Sequence, residues 1–297
     1  MGDQLNLKRQ SFLGADSDIV LARSRVAIVG LGGGGSHVAQ QLAHVGVGEF
    51  LAIDPDFIEA TNLNRLVGAT AEDVGLGTAK VDIAERVIKA VNPAAEVVKC
   101  LASWAEITAE LRDVDVIFAC VDSVSCRNEL EIFARRFLIA LIDIGMDVHE
   151  TCGEFSISGQ VTLSMPGRAC MRCLGLVTND ALAKEAARYG AAGERPQVVW
   201  PNGTLASIAV GFFMKLLTPW ETRKEIPLLL EYDGDVQTVA PSTKLAYLPA
   251  HCGHFDSIDE VGDPFWSADD LAFSDSGRPT LRSTYVVVRR CRQEFSR

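Results

Sequence analysis

The segment Gly30-Leu31-Gly32-Gly33-Gly34-Gly35 follows the apolar run Val26-Ala27-Ile28-Val29 and precedes a stretch of helical spacing. A tight turn from strand to helix is what such a sequence fits. Because glycine lacks a Cβ, Gly30, Gly32 and Gly35 allow the turn and let a phosphate approach backbone N–H groups at a helix N-terminus, where the dipole also favours anions. Asp54 arrives about 20 residues later at the end of the next apolar run, where a carboxylate accepts ribose hydroxyls.

Short apolar runs at residues 25–29, 50–53, 97–101 and 116–121 read as strands, and residues 36–45, 79–91 and 125–137 carry helical spacing. Alternation of this kind predicts an α/β fold: a Rossmann-like, mostly parallel sheet with helices on both faces. Asn92-Pro93 closes the second helix, since proline has no N–H to continue it. After a strand at 138–145 the pattern turns antiparallel, with strands at 154–158 and 160–164 expected to meet in a hairpin at Ser158-Gly159. Residues 177–197 read as a helix or loop ended by Arg195-Pro196, residues 203–217 as a buried helix and residues 285–289 as a late strand, while 256–282 show no period.

In 297 residues, 48% of them apolar, there is enough for a sizeable core. A net charge of −11 disfavours nucleic acid and anionic membrane as partners. The N-terminus has no apolar core for a signal peptide, and the most apolar helix candidate, at 208–217, is short and carries Lys215, so a cytoplasmic protein is expected. Eight cysteines in so long a chain do not make a disulfide scaffold. The close pair Cys170-Met171-Arg172-Cys173 suggests metal binding or catalysis instead.

From Asp54 the chain runs Asp54-Pro55-Asp56-Phe57-Ile58-Glu59-Ala60-Thr61-Asn62-Leu63-Asn64-Arg65. Later, Gly77-Thr78-Ala79-Lys80 opens a helix and Cys120-Val121-Asp122 ends a strand. With His44-Val45-Gly46-Val47-Gly48 upstream, this series resembles the ThiF, MoeB and ubiquitin-activating-enzyme superfamily. Its members use MgATP to adenylate the C-terminal glycine of ubiquitin-like or sulfur-carrier proteins. The resemblance implies that Asp54, with Asp56 beside it, holds the ribose end of ATP, that Asn64, Arg65 and Lys80 surround the triphosphate, and that Asp122 binds Mg2+. Two cations there suit the charge building on departing pyrophosphate, and a carboxylate suits magnesium. Arg9 resembles an N-terminal arginine that reaches the nucleotide from a neighbouring subunit, which implies a homodimer. Leu66 departs from the pattern, since many relatives have glutamine there.

The resemblance also makes Cys170 and Cys173 the first half of a structural Zn2+ knuckle, whose second Cys-x-x-Cys pair this chain lacks. At the matching place stands Pro249-Ala250-His251-Cys252-Gly253-His254. His251 with His254 keeps the two-residue gap, and Cys252 with one histidine is the alternative closure. Because no cysteine lies between residues 174 and 204, a thioester on the crossover segment is not expected. The implied division is an N-terminal segment at 1–24, an adenylation domain at 25–255, and an extension at 256–297 in which Phe265, Trp266 and Phe273 are candidate anchors. A Gly-terminated carrier protein is the expected partner, with a conjugating enzyme as a further one; sulfur transfer and ubiquitin-like conjugation, including bacterial antiviral operons, are both open. An NAD-dependent oxidoreductase would share the glycine loop and Asp54 but has no use for Asn64, Arg65 and Lys80. A non-catalytic binder of ubiquitin-like proteins is the remaining rival.

Overall fold

The computed structural model describes residues 5–187, 196–222, 225–249 and 252–255. The expected strand at 285–289 and the aromatic residues Phe265, Trp266 and Phe273 lie outside them, as does His251. A short 3-10 helix, Lys8–Leu13, and α1 (Ser17–Arg23) lead into β1 (Arg25–Val29), α2 (Gly33–Val45) and β2 (Glu49–Ile53). Next come α3 (Ala71–Leu76), α4 (Lys80–Val91), β3 (Glu96–Cys100), α5 (Thr108–Leu111), β4 (Val116–Ala119) and α6 (Val124–Arg136). The chain continues through β5 (Ala140–Thr151), β6 (Glu154–Ser164), α7 (Asn179–Ala187), α8 (Val199–Leu217), β7 (Leu229–Asp233) and β8 (Thr238–Pro241).

Among the described residues, eight strands form one sheet in the order β3-β2-β1-β4-β5-β6-β7-β8. The first five run parallel and the last three join antiparallel. The run Val26 to Val29 in β1 and all of β4 are buried on both faces, as strands sandwiched between helix layers must be. One core packs α2 and α8 against the sheet through Leu42, Phe118, Ile142 and Phe213; a second packs α6 on the other face through Leu130, Ile117 and Leu141. α2 stops at Gly46, whose left-handed backbone (φ 94°) lets its N–H return to the carbonyls of Leu42 and Ala43. At the end of α4 the Asn92 N–H still reaches the Ile88 carbonyl at 2.8 Å, and Pro93 ends the ladder.

One expectation is corrected. Ser158-Gly159 is not a turn: both residues lie within β6, an unbroken strand paired with β5 from Glu154 to Ser164. The hairpin turns at Cys152-Gly153, where φ values of 54° and 85° give the two left-handed residues that the twist of a two-residue hairpin favours. Gly159 is needed for packing, since a Cβ there would come within 2.5 Å of Leu205 on α8. α8 itself starts earlier than expected, at Val199, with Pro201 in its first turn where the missing N–H has no partner to lose. No helix among the described residues is long and apolar enough to cross a membrane.

Candidate functional site

β1 lies where the strand order reverses, with β2 on one side and β4 on the other, and a crevice opens at the carboxyl ends of such strands. The glycine turn fills that crevice's floor. Gly30 has φ 87°, and a Cβ on it would strike the Cys120 carbonyl; a Cβ on Gly35 would strike the carbonyl of Gly30. Gly32 differs, because a Cβ there would meet no protein atom within 4 Å, so this side of the turn is open to a ligand. A cavity of about 300 Å³ lies over the turn, bounded by Gly30, Gly32, Asp54, Lys80 and Asp122.

Asp54 is buried at the end of β2, where its Oδ2 accepts the Leu31 N–H at 2.6 Å and its Oδ1 accepts the Asp56 N–H at 2.9 Å. It therefore braces the glycine turn from the cavity wall. Burial pushes its carboxyl above the usual range, and the Lys80 charge and the two backbone N–H groups pull it back. Lys80 is the first residue of α4, a position at which a cation opposes the helix dipole. Two carboxylates offset that cost: Lys80 Nζ lies 2.6 Å from Asp56 Oδ2 and 3.7 Å from Asp54 Oδ1, with the lysine side chain only 12% exposed.

Arg65 also lines the cavity, its Nη1 donating to the Thr61 carbonyl at 2.7 Å and to Asn64 Oδ1 at 3.1 Å. Asn64 itself is not in the wall. Its Nδ2 instead donates to the Gln197 carbonyl at 2.9 Å, and Gln197 Nε2 donates to Asp122 Oδ1 at 3.1 Å. The wall also holds residues that the sequence patterns do not single out, among them Asn62, Arg127 and Gln197. Asn62 was within reach, since it closes a capping box with Glu59 that shapes the Asp54 to Arg65 segment. Arg127 was too, four residues after the Ser123 cap and so on its face of α6. Gln197 is joined to the site only by long-range contacts. Leu66 packs with Ile58 and Ile83 beneath the segment, so it supplies no polar contact. Cys126 borders the cavity, but burial pushes its thiol up, which leaves little thiolate. Arg9 is exposed on the 3-10 helix Lys8–Leu13 and lies outside the cavity wall.

A second cluster lies at the end of α6. Cys170, Cys173, Cys252 and His254 bring their donor atoms within 4.8 Å of one another. Cys173 Sγ is 3.6 Å from both Cys170 Sγ and Cys252 Sγ, and His254 Nδ1 is 3.4 Å from Cys170 Sγ and Cys173 Sγ and 3.9 Å from Cys252 Sγ. Around a tetrahedral zinc ion, bonds of about 2.3 Å to sulfur and 2.0–2.1 Å to nitrogen separate two sulfurs by about 3.8 Å and a sulfur from a nitrogen by about 3.6 Å. The donor set fits that geometry as three cysteines and one histidine. Its first half is tied to the core by Glu131, whose Oε1 accepts the Met171 N–H at 2.8 Å and the Ser164 hydroxyl at 2.5 Å. Arg135 completes the tie, donating to the Arg168 and Ala169 carbonyls at 3.1 and 3.0 Å.

The sheet order and the glycine turn at its switch point define an α/β fold of the nucleotide-binding kind. The chain belongs to the ThiF family, whose sequence profile matches residues 4–252. It is 32% identical over 163 residues to the molybdopterin-synthase adenylyltransferase of Escherichia coli, covering 54% of this chain and 61% of that one. It is 32% identical over 200 residues to the SAMP-activating enzyme E1 of Haloferax volcanii, covering 66% and 68%. The chain thus spans about three fifths to two thirds of these relatives. The fold also matches the crystal structure of E. coli MccB with ATP, with a TM-score of 0.64 at 20% identity, over 82% of this chain and 73% of that one.

Proposed function

We propose that the chain, through an adenylation unit at residues 25–255, transfers AMP from ATP to the C-terminal carboxylate of a small ubiquitin-like or sulfur-carrier protein. One observation carries this reading: Lys80 and Arg65, two cations, share with Asp122 the cavity floored by the glycine turn. A dehydrogenase has no use for that arrangement. The carrier's terminal oxygen attacks the α-phosphorus, the bond from that phosphorus to the bridging oxygen breaks, and pyrophosphate leaves with the negative charge. The attacking carboxylate is already ionised, so no general base is required. Lys80 and Arg65 hold the charge of the leaving group, the N–H groups of the glycine turn orient the phosphates, and Asp54 holds the ribose. Asp122 would hold Mg2+, which when bound would neutralise phosphate charge. Arg9, exposed and outside its own cavity, serves the site of a second copy in a homodimer. ATP–pyrophosphate exchange with a small β-grasp protein ending in Gly-Gly tests this: exchange is expected above background and lost with Asp122→Ala, and background exchange with every such carrier would overturn the reading.

Zn2+ is the ion assigned to Cys170, Cys173, Cys252 and His254, on the donor spacing given above. Elemental analysis of the purified chain is expected to find about one zinc per chain, as closed four-ligand structural sites hold. Cys252→Ser is expected to lower that content and His251→Ala to leave it; the reverse pattern would move the fourth ligand to His251.

A further inference from the structure

Asp143 is fully buried, at 0% exposure, and neither of its carboxylate oxygens has a hydrogen-bond partner among the described residues. Its register partner across the β5–β6 ladder, Thr162, has a buried hydroxyl in the same condition. A carboxylate placed so is costly, and the cost calls for a compensating charge. The cation nearest it is Arg127, whose Nε lies 3.5 Å from Asp143 Oδ1. Burial pushes the carboxyl up to about 6, Arg127 pulls it down and Glu131 adds to the rise.

The place of this pair in the sheet gives it a task. The β4–β5 ladder ends at the pair Ala119 and Asp143, while β5 runs on to Thr151 without β4 beside it. Two carbonyls flank this fork, Val121 on one branch and Ile144 on the other. Arg127 takes both: Nε and Nη2 donate to Val121 O at 3.1 and 3.0 Å, and Nη2 donates to Ile144 O at 3.2 Å. Gly145 leaves room for it, since a Cβ there would lie 2.6 Å from Arg127 Nη1. Val121 directly precedes Asp122.

We infer that Asp143 is a positioning residue: its charge holds the Arg127 guanidinium across the fork, and the guanidinium fixes the Val121 carbonyl and with it the Asp122 carboxylate at the cavity. The link from Asp143 to the fork stands on geometry alone, whereas its consequence for magnesium rests on the adenylation reading. Without Asp143, Arg127 is a half-buried cation bordering the cavity, kept on the two carbonyls by their hydrogen bonds alone.

The full-length chain is compared as wild type, Asp143→Asn, Arg127→Gln and the double variant. Amide hydrogen exchange of residues 119–124 and 143–147, without nucleotide, is expected to quicken in Asp143→Asn and to be no faster in the double variant than in Arg127→Gln. In pyrophosphate exchange, the half-saturating Mg2+ concentration is expected to rise about tenfold in Asp143→Asn, while half-saturating ATP at high Mg2+ moves by less than about twofold. Should Asp143→Asn fail to fold, Arg127→Met, which donates to neither carbonyl, must show the same two changes. Wild-type protection in both segments, or effects that multiply in the double variant, would overturn the inference. If the wild type gives no pyrophosphate exchange, the adenylation reading falls and hydrogen exchange still decides the Asp143 link.

Discussion

Replacing Lys80 by alanine is expected to slow ATP–pyrophosphate exchange by about 10²–10³-fold, the loss typical of removing one preorganised group that meets charge in a transition state. The magnitude follows from how the lysine is held. Its head is held between Asp56 at 2.6 Å and Asp54 at 3.7 Å, so its position is set before any phosphate arrives. Exposed Asp56 is the partner that a phosphate oxygen would replace, since buried Asp54 is already bonded to the turn. Because negative charge on the leaving pyrophosphate would grow during the proposed adenylation, kcat is expected to fall more than KM for ATP rises. Lys80→Arg should recover only part of the rate, because a planar fork does not replace a compact ammonium at a helix start. Steady-state exchange kinetics check this, and a Lys80→Ala rate within about threefold of wild type, far short of the loss such groups cause, would remove Lys80 from the chemistry.

Local patterns made the parallel half of the fold legible. Buried strands such as Val26 to Val29 are continuous apolar runs, and the glycine turn announces itself by composition, so both could be read without knowing what they touch. Ser158-Gly159 misled for the same reason. A glycine after serine reads as a turn, yet Gly159 answers to Leu205 on a helix 46 positions further along, and the true turn puts Cys152, no usual turn residue, in a left-handed conformation. In the cavity, Asp54, Arg65, Lys80 and Asp122 were legible because they belong to short ordered segments, and all four border the space over the turn. Asn62, two residues before Asn64, holds the wall, a matter of which way a short helical turn faces. The cysteine and histidine cluster was legible except for one member. Spacing alone left His251 and Cys252 as rivals, and the donor atoms that converge among the described residues are those of Cys252 and His254. Gln197 and Asp143 could not be read at all, because their roles exist only through contacts between distant segments.

Glu131→Ala should be the most destabilising single change in the α6 region. Glu131 and Arg135 are each about 1% exposed, one turn apart on α6, with Arg135 Nε 3.5 Å from Glu131 Oε1. Removing the carboxylate leaves a guanidinium buried against Ser164, the Arg168 and Ala169 carbonyls and the Phe255 ring, and it frees the Met171 N–H from its acceptor. Breaking a buried pair on one side costs about 3–5 kcal/mol, which in a chain of this size lowers Tm by on the order of 10 °C. Replacing both partners with apolar residues, as in Glu131→Leu with Arg135→Met, removes the stranded charge and should regain most of that loss. The two variants separate stability from metal retention. The Met171 N–H has no acceptor in either, so the Cys170 to Cys173 segment is loosened in both, and both are expected to lose zinc to a chelator faster than wild type. Thermal melts and chelator-driven zinc release measure the two effects independently. A Glu131→Ala protein that melts within about 2 °C of wild type would show that the pair contributes less than about 1 kcal/mol.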